Sequence, residues 1–137
     1  MTQAQVMEIA LEGVFQITNW KETPYQENND GSKLSHAKIK QTYSGSIEGS
    51  SEIQYLMSYQ TPLSATFVGY EAVVGRLSGT SGTFIIQHNG TFEKGVAKST
   101  FHVVPGSGTE GLAGIEGNGS FESTENGQAN YVLNTNA

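Results

Sequence analysis

The chain has 137 residues, with 17 glycines, three prolines and no cysteine. The net charge is −6 and no segment gathers basic residues, so nucleic acid and anionic membrane surfaces are not expected partners. No apolar run approaches the roughly 20 residues of a membrane-spanning helix, and a disulfide framework is excluded. The length predicts one domain over residues 1–137, with a core that needs neither disulfides nor metal.

The N-terminal segment bears on the cellular location of the protein, and the spacing of the histidines bears on metal binding. Residues 1–8 lack the basic and apolar regions of a signal peptide, which predicts a cytoplasmic protein. The three histidines, His36, His88 and His102, do not follow a metal-ligand spacing. We therefore predict no metal site and no cofactor.

The predicted elements are all strands, because no window keeps a 3.6-residue apolar period while several alternate or carry β-branched and aromatic runs. In chain order they are Glu8–Trp20, His36–Glu48, Glu52–Gln60, Ala65–Leu77, Gly82–Phe92, Val96–Val104, Leu112–Ser123 and Gln128–Asn134. Segments rich in Asn, Asp, Gly and Pro connect most of them. This order predicts an all-β fold: an eight-stranded antiparallel meander that forms a closed or nearly closed barrel.

Many glycines fall inside the predicted strands rather than between them, Gly69 and Gly119 among them. Glycine within a strand usually marks a bend, a bulge or a close approach of two backbones. A strongly coiled barrel needs such bends. The glycine excess is therefore interpreted as curvature.

The fourth and fifth strands form a predicted hairpin. If Gly79-Thr80 are the two loop residues of a type II′ turn, Glu71 lies opposite His88 on a face that is otherwise mostly aromatic and aliphatic. The other face is mixed, so the first is predicted to be interior. Val68 and Ile85 would then point outward, and such apolar outward residues favour a homo-oligomer.

The neighbouring hairpins extend this interior row. A turn around Leu63 places Tyr55 beside Glu71 and puts Tyr59 on the same face, whereas a turn at Lys94-Gly95 places Phe101 beside His88. The predicted result is a belt of Tyr55, Glu71, His88 and Phe101 across four adjacent strands.

The belt contains the titratable residues that are candidates for catalysis or ligand binding. Burial raises the pKa of a carboxyl group such as Glu71, and a protonated His88 nearby lowers it again. The two residues are candidate catalytic residues, as a general base and its partner, or they hold the polar end of a ligand. The alternative is a satisfied buried pair that only helps to set the register. Tyr55, Tyr59 and Phe101 are candidate ligand-binding residues, and ordinary packing is their alternative.

One further candidate lies in a glycine-rich segment. Residues 106–111 match G-x-G-x-x-G, but glycine-broken strand rather than a helix follows, so a dinucleotide site is not predicted. The backbone N–H groups of Ser107-Gly108-Thr109 can still form an anion-binding nest. Ser107 and Thr109 are therefore included among the candidate ligand residues, with a wide turn as the alternative.

Three segments together carry a resemblance to a known family: Phe67–Glu71 leading to Gly75, Gly82–Gly90, and Val103–Thr109 followed by Leu112–Gly117. They resemble a bacterial domain-of-unknown-function family of small β-barrels whose fold is similar to that of plant allene oxide cyclase. The resemblance spans roughly residues 8 to 133. It implies an eight-stranded antiparallel barrel with an interior cavity and no established activity. The family signature includes the positions of Glu71, His88 and Ser107-Gly108-Thr109, so the resemblance implies that these are candidate site residues.

Three functions remain open at this point. The first is a barrel that binds a small apolar or amphipathic ligand inside, which the aromatic interior with few polar groups favours. The second is a cyclase- or isomerase-like enzyme that uses Glu71 and His88 as an acid–base pair. The third is a structural or oligomeric barrel with a filled interior. The volume of the interior separates the third from the others.

Overall fold

The computed structural model describes residues 8–137, which form a closed barrel of eight antiparallel strands. The strands are β1 (Ile9–Glu27), β2 (Lys33–Gly45), β3 (Ile47–Thr61), β4 (Ser64–Leu77), β5 (Thr80–Glu93), β6 (Val96–Val103), β7 (Gly117–Ser123) and β8 (Gln128–Thr135). Each strand pairs with its neighbour in the chain, and β8 pairs with β1 to close the barrel. The predicted fold class is confirmed.

Residues 1–7, on which the prediction of a missing signal peptide rests, lie outside the described residues. No helix within residues 8–137 is long and apolar enough to cross a membrane.

The connections divide the barrel into two ends. The segments 28–32, 62–63, 94–95 and 124–127 lie at one end, which we call the mouth end. Ser46, the turn 78–79 and the loop 104–116 lie at the other, which we call the plug end. Leu112 and Ile115 of that loop are buried and fill the plug end.

This loop corrects the predicted strand Leu112–Ser123. Glu110–Leu112 is a short 3₁₀ helix, and β7 begins only at Gly117. Gly114 has a φ of +81°, a left-handed conformation that interrupts an extended chain. The apolar residues of this segment are buried because the loop folds into the barrel end, not because they alternate along a strand.

The first hairpin is longer than predicted. β1 continues past Trp20 to Glu27, and β2 begins at Lys33 rather than at His36. Most side chains of Lys21–Glu27 are exposed, so this part of β1 lacks the alternation of a half-buried strand. Its pairing with β2 is what makes it a strand.

The β4–β5 hairpin differs from the prediction by two residues. Its loop is Ser78-Gly79, with φ values of 49° and 86°, and two positive φ values are the signature of a type I′ turn. The interior and exterior faces are as predicted, because a two-residue change preserves the alternation. The opposed pairs were predicted wrongly, since Glu71 lies opposite Ile86 and His88 lies opposite Gly69.

The neighbouring registers give one correction and one confirmation. The β3–β4 ladder has an irregularity between Tyr59 and Thr61, and beyond it Tyr55 lies opposite Gly69 rather than Glu71. The predicted β5–β6 register is confirmed, with Phe101 opposite His88.

Two interior glycines show why the barrel coils so tightly. A Cβ atom at Gly69 would lie 1.9 Å from the carbonyl oxygen of Gln54, on the neighbouring strand. One at Gly119 would lie 2.0 Å from the carbonyl oxygen of Val132 and 2.9 Å from the Phe101 ring. Any larger residue at these positions would push neighbouring strands apart, which supports the interpretation of these glycines as curvature.

Candidate functional site

A buried ion pair lies at the centre of the barrel. Glu71 on β4 and His88 on β5 point to the interior and are 0% and 2% exposed. His88 Nε2 lies 2.6 Å from Glu71 Oε1, across a diagonal of the β4–β5 ladder rather than between directly opposed positions. The structure therefore brings together the two residues predicted to interact.

Three further donors surround the other oxygen of this carboxylate. Gln41 Nε2 donates to Glu71 Oε2 at 3.0 Å and Ser51 Oγ donates at 2.6 Å. The hydroxyl of Tyr43 donates to the same oxygen and accepts a hydrogen bond from Gln41 Nε2. Four donors from four different side chains thus compensate the loss of water around the buried Glu71 charge.

The second ring nitrogen of His88 also has a hydrogen-bond partner. His88 Nδ1 lies 2.9 Å from Ser99 Oγ, and Ser99 Oγ donates its hydrogen to the carbonyl of Thr100 at 3.1 Å. Both ring nitrogens of His88 are therefore hydrogen-bonded, Nδ1 to a hydroxyl and Nε2 to a carboxylate.

Aromatic rings enclose the imidazole of His88. The rings of Tyr55, Phe101 and Phe121 lie 5.6, 5.1 and 5.6 Å from the imidazole, centroid to centroid, with interplanar angles of 89°, 61° and 67°. These edge-on contacts restrict the rotation of His88 and exclude water from the ion pair.

The network shifts the acidity of its members in opposite directions. Burial raises the pKa of Glu71, but the hydrogen bond and charge of His88 and the Ser51 and Tyr43 hydroxyls outweigh burial and hold it below its ordinary value. Burial and the Glu71 charge raise the pKa of Tyr43 and Tyr55 well above their usual range. Glu71 is therefore ionised at neutral pH, and both tyrosines keep their hydroxyl protons.

A cavity of about 310 Å³ lies between this network and the mouth end. Its wall is largely aromatic and aliphatic, and the side chains of this kind include Phe15, Ile17, Ile39, Ile53, Met57, Phe67, Phe92 and Phe121. Exposed residues of the 124–127 connection, together with Gly95 and Trp20, also line it, so it opens to solvent at the mouth end. Gln41 and Tyr55 belong both to the cavity wall and to the surroundings of the ion pair.

A second polar cluster lies on β1–β3 near the mouth end. The Glu22 carboxylate accepts hydrogen bonds from Trp20 Nε1 at 3.1 Å, Ser35 Oγ at 2.5 Å and the Tyr59 hydroxyl at 3.2 Å. Burial and Glu22 raise the pKa of Tyr59 to about 12. The Nζ atom of Lys33 lies 4.6 Å from the centre of the Tyr59 ring. The cluster holds Trp20, which lines the cavity, in place.

The predicted ligand residues are not all at one place. Tyr55 lines the cavity, Phe101 packs against His88 behind it, and Tyr59 belongs to the Glu22 cluster. Ser107 and Thr109 lie in the loop of the plug end, where their hydroxyls accept hydrogen bonds from the backbone of β5. Their own N–H groups donate to backbone carbonyls, so the predicted anion-binding role gains no support from this geometry.

Sequence reasoning missed the polar partners of the ion pair. On β2, Gln41 and Tyr43 follow the buried Ile39 at steps of two residues. Ser51 on β3 lies two residues before the buried Ile53, and Ser99 on β6 lies two residues before Phe101. Extending each alternating run by one or two steps would have placed all four on the interior face.

Residues 11–134 match the family described as protein of unknown function (DUF3224). The chain belongs to this family. Its fold is also similar to the crystal structure of a DUF3224 protein of unknown function from Shewanella oneidensis MR-1, with 32% identity and a TM-score of 0.76. That similarity covers 94% of this chain and 96% of the other. No curated protein matches the chain. The predicted bacterial family is confirmed, and the likeness to allene oxide cyclase stays a prediction.

Proposed function

We propose that this DUF3224 barrel binds a small, largely apolar molecule in its interior. The observation that carries the proposal is the cavity of about 310 Å³ above the Glu71–His88 pair. Packed protein interiors hold few voids larger than a water molecule, and ligand pockets begin at roughly 300 Å³. A barrel filled only for structural reasons has no need of this space.

The size and wall of the cavity restrict the ligand. Its volume is about twice that of a 150 Å³ apolar cavity that accommodates benzene, so a molecule with two fused rings is of suitable size. Rings such as Phe15, Phe67 and Phe121 provide edges and faces for an aromatic or aliphatic ligand. Entry is from the mouth end, between Trp20 and the 124–127 connection.

The test is equilibrium dialysis of the purified protein against naphthalene, a bicyclic probe without polar groups. We expect saturable binding with one site per chain. The variant Ala97→Phe adds a ring to the cavity wall and should abolish binding, because Ala97 lines the cavity from β6. The matched control Ala72→Phe adds the same ring on the exposed outer face of β4 and should leave binding unchanged.

Two results would refute the proposal. The first is a naphthalene concentration on the protein side of the membrane that does not exceed the concentration in the buffer, because the cavity of the wild-type protein would then be inaccessible. Binding that survives Ala97→Phe would place the site outside this cavity, and its loss with Ala72→Phe would place it on the outer face of the barrel.

A second candidate function is acid–base chemistry by Glu71 and His88, which the 2.6 Å contact between two buried ionisable groups favours. Neither residue lines the cavity, and two side chains that do line it, Tyr55 and Phe121, pack against the His88 ring. The test is deuterium exchange of the acidic protons of 2-tetralone, a bicyclic ketone, followed by NMR in heavy water. Faster exchange with wild-type protein than with Glu71→Gln supports this function, and equal rates reject it.

A further inference from the structure

We infer that the ligand carries a hydroxyl group, which lies at the cavity floor between the side-chain oxygens of Gln41 and Tyr55. This inference rests on the proposed function, because it identifies the chemical class of the molecule that the cavity takes. It follows from the two polar groups that the ion-pair network presents to the cavity.

The amide of Gln41 has a defined orientation. Its Nε2 atom donates to the Glu71 carboxylate at 3.0 Å and to the Tyr43 hydroxyl at 3.1 Å. Turning the amide over would place its carbonyl oxygen against an ionised carboxylate, so Nε2 must face Glu71. Gln41 Oε1 then points away from the network, and it has no hydrogen-bond partner within residues 8–137.

The Tyr55 hydroxyl is in the same situation. The Tyr55 ring packs edge-on against His88, yet its hydroxyl makes no hydrogen bond within the described part of the chain. Every fully buried side-chain nitrogen and oxygen of those residues has a partner. The two oxygens are therefore not fully enclosed, although Gln41 and Tyr55 are only 3% and 4% exposed. Both residues line the cavity.

A hydroxyl group matches this pair of oxygens. It can donate its hydrogen to Gln41 Oε1, which only accepts, and it can accept the hydrogen of the Tyr55 hydroxyl. A hydrocarbon leaves both oxygens without a partner when it displaces water. A carboxylate brings two acceptor oxygens against the Gln41 carbonyl, close to the negative charge of Glu71.

The experiment compares three probes of one shape by equilibrium dialysis: naphthalene, 2-naphthol and 2-naphthoate. We expect wild-type protein to bind 2-naphthol about fivefold more tightly than naphthalene, the effect of a net gain in neutral hydrogen bonding. We expect 2-naphthoate to bind most weakly.

The variant Tyr55→Phe tests the residue itself. It removes the hydroxyl and keeps the ring on His88, so it should reduce the preference for 2-naphthol over naphthalene while naphthalene still binds. Tyr70→Phe is the matched control, because Tyr70 lies on the outer face of β4 and is 58% exposed. It should leave the preference unchanged.

The outcomes separate this inference from the proposed function. Wild-type protein that binds none of the three probes overturns both. Equal affinity for naphthalene and 2-naphthol, tighter binding of 2-naphthoate, or a preference that Tyr55→Phe leaves intact overturns the hydroxyl inference, while naphthalene binding still supports an apolar cavity.

Discussion

The replacement Glu71→Gln tests whether the buried ion pair holds the barrel together. Gln keeps the size of Glu71 but replaces one acceptor oxygen with an N–H₂ group. Glu71 Oε2 accepts from Gln41, Tyr43 and Ser51, and Oε1 faces His88, so the new N–H₂ group meets donors in either orientation. The variant also removes the carboxylate that faces His88 Nε2.

The expected magnitude follows from these losses. Removing one member of a buried ion pair typically costs about 3–5 kcal/mol, because the remaining charge is buried without compensation. The total stability of a domain is roughly 5–15 kcal/mol, so Glu71→Gln should remove a large part of it. The double variant Glu71→Gln with His88→Gln should lose less than the sum of the single variants, by about 1–3 kcal/mol, because neither residue of the pair is then left buried without its partner.

The assay is urea unfolding at pH 7, followed by circular dichroism. With a slope of roughly 1–3 kcal/mol per molar urea, a loss of this size moves the midpoint by more than about 1 M. The control Glu52→Gln removes an exposed carboxylate that lies 3.7 Å from Lys40 Nζ, and it should cost less than about 1 kcal/mol. If Glu71→Gln costs no more than Glu52→Gln, or if the single-variant losses simply add, the reasoning about the pair is wrong.

Four further outcomes are expected. The pKa of Glu71 in the fold lies below its ordinary value of 4.5, so the folded protein should lose stability as the pH falls below 4.5. Urea unfolding at low pH should show a smaller loss of stability in Glu71→Gln than in the wild-type protein. Equal acid sensitivity of the two proteins would contradict the lowered pKa of Glu71. Leu112→Ala should cost about 2–5 kcal/mol in urea unfolding, since Leu112 is 2% exposed, and a cost below about 1 kcal/mol would mean that the plug is dispensable. Glu22→Gln should lower the pKa of Tyr59 from about 12, because it removes a negative charge beside the phenol; an absorbance titration that detects no change would exclude this contact. Wild-type protein should self-associate in sedimentation velocity through the uncharged outer face around Val68, which is 50% exposed, and Val68→Lys should yield monomer; monomeric wild-type protein would disprove this prediction.

The barrel could be predicted because its signals are local. Alternation assigns the interior face of a strand, and turn residues such as Lys94-Gly95 mark its end, so Glu71 and His88 were placed inside correctly. Alternation does not define the offset between strands, since a shift of two residues preserves every face. The Glu71–His88 contact survives that shift because long side chains also meet along diagonals of a ladder.

The polar half of the site was harder to predict. The sequence does not distinguish an interior serine, such as Ser51 or Ser99, from a serine on the exposed face of a strand. Only the buried hydrogen-bond partner, Glu71 for Ser51 and His88 for Ser99, shows that these two are interior. Leu112 and Ile115 are three residues apart in a glycine-rich segment. No local sequence pattern predicts that the two side chains are buried because the loop closes the barrel end. Both features depend on contacts between distant parts of the chain.

The pairing of β1 with β8 has a consequence for folding kinetics. It joins Ile9 to Thr135, the largest sequence separation in the barrel, and contacts of high sequence separation form slowly. The cavity wall lies on both sides of this seam, with Phe15 on β1 and Ala129 on β8 as directly opposed residues. The cavity therefore exists only after the seam has closed, and a ligand bound in it is expected to slow unfolding without accelerating folding.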